Sequence, residues 1–251
     1  MTKIIAVVNH KGGVGKTTTT LNLGKALSVN SKKVLLIDLD PQGNLSQSLG
    51  KEVEENTIYE TLIEDKKPNI IKISKNLDLI PANIDLAAAE IDLQIKTLAG
   101  HTKLKKKLAD TAIKYDFVLI DCPPSLGMLT VNALTFATEM LIVAQAEYLS
   151  VKGFNTIMKL HKDIVEELNP KVNFLGILFT QFNGTVVNKS VIDGMRKKYK
   201  NKVLNTLIRR NVKISEASIH NQDIFTYDSE SMGAEDYNAL TLEILENLKN
   251  G

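Results

Sequence analysis

Residues 9–20, Asn-His-Lys-Gly-Gly-Val-Gly-Lys-Thr-Thr-Thr-Thr, have the types and spacing of a phosphate cradle. Gly12, Gly13 and Gly15 let successive backbone N–H groups converge on one point, and a helix beginning near Lys16 adds its N-terminal charge there. Lys16 can reach β- and γ-phosphates, and the Thr17 hydroxyl suits Mg²⁺. The usual spacing, G-x-x-x-x-G-K-[ST], would place a first glycine at position 10. That position is His10, and an additional lysine, Lys11, follows it. The loop has lost a glycine and gained a cation.

Two acid-bearing segments extend this chemistry. "VLLIDLDPQGN" puts Asp38 and Asp40 at the end of an apolar run, before a Pro-Gln-Gly turn. "FVLIDCPPS" puts Asp121 at the end of another. An Asp after four apolar residues can hold a metal directly or through water. Alone, such an acid serves equally well in a turn or a cap. Following the loop in this order, the acids imply a magnesium nucleotide.

The elements that must position these groups are legible as alternation. Short Val/Ile/Leu-rich runs fall at 4–9, 33–40, 76–82, 116–123, 139–145, 172–180 and 202–208, with helical stretches such as "TTTTLNLGKALSV" between them. Several runs are continuously apolar, as strands buried on both faces of a parallel sheet are. The pattern predicts an α/β fold: a doubly wound, mostly parallel central sheet with helices on both faces. Ligands in such sheets bind outside the carboxyl ends of the strands, where the loop and the acids fall. Residues 46–75 read as a peripheral excursion with short helices. No repeat or linker divides the chain, so residues 1–251 are expected to form one domain.

Composition narrows the classes further. At 43% hydrophobic and 24% charged, the 251 residues have an ordinary globular balance. The lone Cys122 excludes an intrachain disulfide and a four-thiolate metal site. The four histidines lack metal-ligand spacing and read as structural or surface residues. A strand-like run from residue 3 leaves no room for a signal peptide, and no apolar run approaches the ~20 residues that span a bilayer. The expected setting is cytoplasmic.

Net charge is +2, but unevenly placed. Residues 189–213 hold nine cations, Lys189, Arg196, Lys197, Lys198, Lys200, Lys202, Arg209, Arg210 and Lys213, against Asp193 alone. Residues 214–251 hold Lys249 against eight acids. The basic block is where a polyanion would bind, and phosphate contact without sequence preference is the expected mode.

"KGGVGKTT", "DLDPQGN" and "DCPPS" together resemble the deviant-Walker P-loop ATPases of the ParA/MinD class, and specifically the ParA/Soj partition ATPases. The resemblance runs from residue 3 to about residue 245, through "NLDLIPA", "ALTFATEMLIV", "RNVKISEAS" and "YDSESMGAEDY". It implies an ATPase that uses ATP and Mg²⁺, with nucleotide held by Lys11, Gly12, Gly13, Val14, Gly15, Lys16, Thr17 and Thr18. By the same resemblance Lys11 reaches across a nucleotide-bridged homodimer to the partner's phosphates, which gives the additional lysine its use. Asp40 positions or activates the attacking water and could touch the metal through water. Asp121 resembles the switch II acid, near Mg²⁺ through water. "FTQFN" (179–183) and "IRRN" (208–211) match the stretches flanking the adenine, implicating Asn183, Ile208 and Arg209. Asn183 and Thr185 stand where the family commonly has Asp and Arg, Arg209 where it has Pro, and Ser218 and Asn221 where it has Pro and Gly. These departures touch base and DNA recognition and leave the phosphate chemistry alone.

The implied function is DNA partition, plasmid or chromosomal. A MgATP dimer would bind double-stranded DNA non-specifically on the nucleoid, and a ParB-like centromere-binding protein would stimulate hydrolysis and release. About ten residues precede the loop, so the short form without an N-terminal helix-turn-helix domain is expected. A MinD-like cell-division-site ATPase is one alternative, although the acidic end "ALTLEILENLKNG" lacks a basic membrane-binding helix. A nitrogenase-type iron protein would need two cluster cysteines. A small-molecule kinase or synthetase is the other alternative, and it would have no use for Lys11 in trans or for the basic block.

Overall fold

The computed structural model describes residues 1–96, 99–146 and 151–250. Among them, the strands are β1 (Lys3–Val8), β2 (Val34–Asp38), β3 (Ile71–Ser74), β4 (Leu77–Ile80), β5 (Phe117–Asp121), β6 (Glu139–Gln145), β7 (Asn173–Phe182) and β8 (Val203–Arg209). They form one sheet in the order β3-β4-β2-β5-β1-β6-β7-β8. Every pairing is parallel except that of β3 with β4. The helices are α1 (Lys16–Val29), α2 (Asn44–Gln47), α3 (Ile58–Ile63), α4 (Leu86–Ile95), α5 (Lys103–Ala112) and α6 (Met128–Phe136). They continue with α7 (Val151–Glu167), α8 (Val186–Tyr199), α9 (Val212–Ile219), α10 (Ile224–Tyr227) and α11 (Met232–Asn250).

The continuous apolar runs are explained by two cores, one on each face of the sheet. Along β1, Ile4, Ala6 and Val8 enter one core while Ile5 and Val7 enter the other. β2 and β5 alternate in the same way, with Leu35, Ile37, Val118 and Ile120 on one side and Leu36 and Leu119 on the other. The first face is covered by α3 to α8, through residues such as Leu62, Leu93, Leu108, Leu134, Phe154 and Ile192. The second is covered by α1 and by α9 to α11, through Leu23, Ala217, Ile224 and Leu240. Gly24 lets α1 lie close on the sheet: a Cβ there would come within 2.5 Å of the Leu36 side chain.

The expected doubly wound α/β architecture is the observed one. All seven anticipated strands are present, with ends shifted by no more than two residues. The excursion at 46–75 contains the short helix α3, started by a reciprocal cap between Thr57 and Glu60. It also contains β3, which the sequence reading missed. β3 is four residues long, lies antiparallel on the edge and buries none of them fully, so its apolar signal is weak.

Candidate active site

The parallel register brings the chemistry to one edge. Val7, just before the loop, pairs with Asp121, and Asp121 pairs with Asp38 across β5 and β2. Gly13 and Gly15 take positive φ, +73° and +92°, a region that only glycine enters without strain. Gly15 caps α1 and no side chain caps that helix, so its first N–H groups stay available to an anion. A Cβ at Gly12 or Gly13 would meet nothing within 4 Å, which marks the open concavity of the loop.

Loop carbonyls are pulled outward by side chains from β6 and β7. Gln145 donates to the Gly13 carbonyl at 2.9 Å and Gln181 to the same carbonyl at 3.0 Å. Thr180 donates its hydroxyl to the Val14 carbonyl at 2.6 Å. With these oxygens held away, the N–H groups are left to face the cradle. Asn9 fixes the loop's entry, donating to the Val143 carbonyl at 2.7 Å and accepting the Lys11 N–H at 3.0 Å. Sequence reasoning did not find Gln145, Thr180 or this use of Gln181; polar residues ending the apolar runs of β6 and β7 were the available signal.

Lys16 is buried and its ammonium donates to the Lys11 carbonyl at 3.2 Å. Burial lowers its pKa, and Asp121 is the largest influence opposing that. The three acids differ in their surroundings. Asp38 is fully buried and accepts the Ser46 N–H at 2.9 Å, the Ser46 hydroxyl at 2.7 Å and the Asp40 N–H at 3.3 Å. Burial pushes its pKa up to about 6, and these donors restrain the rise. Its geometry is that of a brace for the turn after β2. Asp40 is anchored through one oxygen, which accepts the Gln42 N–H at 3.0 Å. Asp121 is fully buried, and neither carboxylate oxygen has a hydrogen-bond partner. Burial first, and the Asp38 charge second, push its pKa well above the ordinary carboxylate range, while the nearby Thr17 hydroxyl and the Lys16 charge restrain the rise.

An unpartnered buried carboxylate at the floor of an anion cradle fits a nearby cation. Among the described residues no three His, Cys, Asp or Glu side chains form a dedicated metal cage. The donor set therefore suits Mg²⁺, which takes one or two protein ligands and completes its shell with phosphates and water. Cys122 is a fully buried thiol, with its pKa raised by burial.

Beside the loop, a cavity of about 230 Å³ is lined by Thr18, Gln181, Ile208, Arg210, Asn211 and Tyr237, among others. Ile208 and Arg209 are among the residues lining it. Asn183 is not among its lining residues, whereas Gln181, two residues earlier and at φ +52°, is. Asn183 instead shapes the turn into α8, accepting the Thr185 N–H at 3.3 Å while its own N–H donates to Asn188.

Nor does the structure gather the nine cations of residues 189–213 into one patch. Lys189, Arg196, Lys197 and Lys198 lie on α8, while Lys200 and Lys202 precede β8, at the sheet edge opposite the loop. Arg210 and Lys213 lie past the end of β8, on the loop side. Arg209 is already paired. Its Nε donates to Asp236 at 2.9 Å, its Nη2 contacts Asp236 and Glu235, and its backbone N–H donates to Asp236 at 2.8 Å. That charge latches β8 to α11. Lys213 pairs with Glu216 at 3.2 Å, whereas Arg210 is exposed and has no ion pair among the described residues.

A family described as "AAA domain" matches residues 2–174. The sporulation initiation inhibitor protein Soj of Bacillus subtilis is 43% identical, over 98% of this chain and the whole of that protein. The chromosome-partitioning ATPase Soj of Treponema pallidum is 41% identical, with 98% of each chain covered. Among solved structures, cobyrinic acid a,c-diamide synthase from Mycobacterium smegmatis with bound ADP and magnesium superposes with a TM-score of 0.86 at 35% identity, covering 99% of this chain and 96% of that one. No helix among the described residues is long and apolar enough to cross a membrane.

Two variants test the carbonyl ties. Gln145→Ala and Gln181→Ala should each weaken MgATP binding about 2- to 10-fold, the worth of one hydrogen bond. Calorimetric titration of folded variants checks this. A loss confined to Gln181→Ala would place the effect at the neighbouring cavity and not at the loop.

Proposed function

This chain belongs to the Soj/ParA family of chromosome-partitioning ATPases, and on that premise we propose that it is an ATP-driven DNA partition switch. Residues 1–251 act as one ATPase domain. MgATP joins two copies into a sandwich dimer, and the dimer binds double-stranded DNA without sequence preference on the nucleoid, in the cytoplasm. A ParB-like centromere-binding protein stimulates an otherwise slow hydrolysis, which releases the DNA.

The observation that carries the nucleotide part is the unpartnered Asp121 carboxylate beneath an open cradle of N–H groups. Mg²⁺ would be held by Thr17, with Asp121 and Asp40 acting through water, and would spread the phosphate charge. Residues 11–18 bind the phosphates: Lys16 holds them within its own subunit, and Lys11 reaches the partner's. Such a lysine supplies in trans what an arginine finger supplies elsewhere. Asp40 orients the attacking water from its turn after β2. Ile208 and Gln181 flank the base.

The likeness to a diamide synthase favours a second reading, a nucleotide-dependent synthetase. DNA binding measured with ATP, with ADP and without nucleotide separates the two. Binding restricted to ATP supports the partition switch; its absence in all three states favours the synthetase.

Three outcomes are expected. Lys16→Ala loses most nucleotide affinity, whereas Lys11→Ala still binds ATP but sediments as a monomer with it; a Lys11→Ala protein that dimerises normally removes the trans role. Asp40→Ala forms a long-lived ATP dimer with hydrolysis slowed at least ~10²-fold, the low end of what a positioned acid–base group contributes; normal turnover would reject that assignment. DNA affinity falls with salt at about −0.9 per phosphate neutralised, so Arg210→Ala, which removes two charges from a dimer, should flatten the slope by up to ~1.8. An unchanged slope would place the DNA elsewhere.

A further inference from the structure

The edge of the sheet opposite the phosphate loop carries a second concentration of positive charge. There, a cavity of about 320 Å³ is lined by Lys33, Lys72, Lys75 and Lys114, with Tyr115 and Asp78 in its wall. Each lysine comes from a different place. Lys33 directly precedes β2, Lys72 lies within β3, Lys75 lies in the turn between β3 and β4, and Lys114 lies between α5 and β5. All four are exposed, and none has a carboxylate within 4 Å among the described residues.

The acids nearby are otherwise engaged. Asp78 accepts the Tyr115 hydroxyl at 2.7 Å. Asp116 accepts the Lys33 backbone N–H at 2.8 Å, so its hydrogen bond goes to the main chain and not to an ammonium. Four ammonium groups around one concavity repel one another, and a bound anion relieves that repulsion. A lysine on an edge strand also discourages sheet-to-sheet pairing, which would explain Lys72 on β3. It does not explain Lys33 or Lys114, which precede the interior strands β2 and β5.

We propose that this cavity is a second anion site, separate from the phosphate loop, that takes a small polyphosphate. Asp78 and Asp116 offset part of the lysine charge, but the four lysines come from four separate segments around the cavity; a chain of phosphates can meet several of them at once, which a single phosphate cannot. The concavity favours a compact ligand over the convex surface of a duplex. The phosphate chain could come from an inorganic polyphosphate or from a nucleoside polyphosphate, since both present the same charged oxygens.

The full chain, with its loop saturated by MgADP, is titrated calorimetrically with inorganic tripolyphosphate and, separately, with GTP. One additional site per chain is expected. Lys33→Gln/Lys114→Gln should weaken it at least about tenfold, as expected for losing two hydrogen bonds from charged donors, while MgADP affinity stays unchanged. Lys105→Gln/Lys106→Gln, exposed lysines on α5, removes the same net charge and should leave the site intact. Equal affinity for the two probes assigns recognition to the phosphates alone, and tighter GTP binding assigns it to a nucleoside polyphosphate; either supports the site. The proposal is overturned if no additional site is found, or if both double variants weaken it equally. It is also overturned if a short DNA duplex binds and the small polyphosphates do not.

Discussion

Two carboxylates stand side by side at the floor of the loop, and much of the site depends on the cost of burying them. Asp38 and Asp121 are paired residues of adjacent parallel strands, and both are completely buried. Like charges in such a place raise each other's pKa and call for donors or a cation. Asp38 is satisfied by Ser46 and the Asp40 N–H, so it stabilises the turn that presents Asp40. No donor reaches Asp121 in good hydrogen-bond geometry, although the Thr17 hydroxyl lies close enough to favour its charged form, and the lysine beside it, Lys16, has its own charge disfavoured by burial. That imbalance favours a metal nucleotide, which supplies a cation for the acid and phosphates for the lysine.

Around this floor, the loop is held from outside. Three side chains from the ends of β6 and β7 take the Gly13 and Val14 carbonyls, and Asn9 joins the loop's entry to β6. A loop of glycines has many accessible conformations, and ordering it is entropically unfavourable. Here the neighbouring strands meet part of that cost before any nucleotide arrives. Arg209 does comparable work at the far wall. By joining β8 to Asp236 and Glu235, it fixes α11, whose Tyr237 lines the cavity beside the loop.

Charge is therefore sorted along the strands as well as along the chain. One sheet edge holds the loop, the three acids, Arg210 and Lys213; the other holds Lys200, Lys202 and the lysine-lined cavity. Parallel topology causes the sorting, because every strand except β3 begins at one edge and ends at the other. A count along the sequence merges cations that lie at opposite ends of the sheet.

The sequence by itself determined the sheet's class, seven of its strands, and the identity of the loop and its acids. Those features are local: apolar runs long enough to be buried on both faces, and glycine, lysine and threonine at fixed spacing. Only the tertiary structure decided what depends on neighbours distant in sequence. β3 was illegible because a short, half-covered edge strand needs little apolar signal. Asp38 and Asp121 look alike as strand-end acids, and only Ser46, eight residues beyond Asp38, separates a braced carboxylate from an unpartnered one. Arg209 reads as a free cation in a basic run until α11 brings Asp236 against it, 27 residues later. A side chain's charge is written in the sequence, but its partner is chosen by the fold, because pairing depends on distance in space.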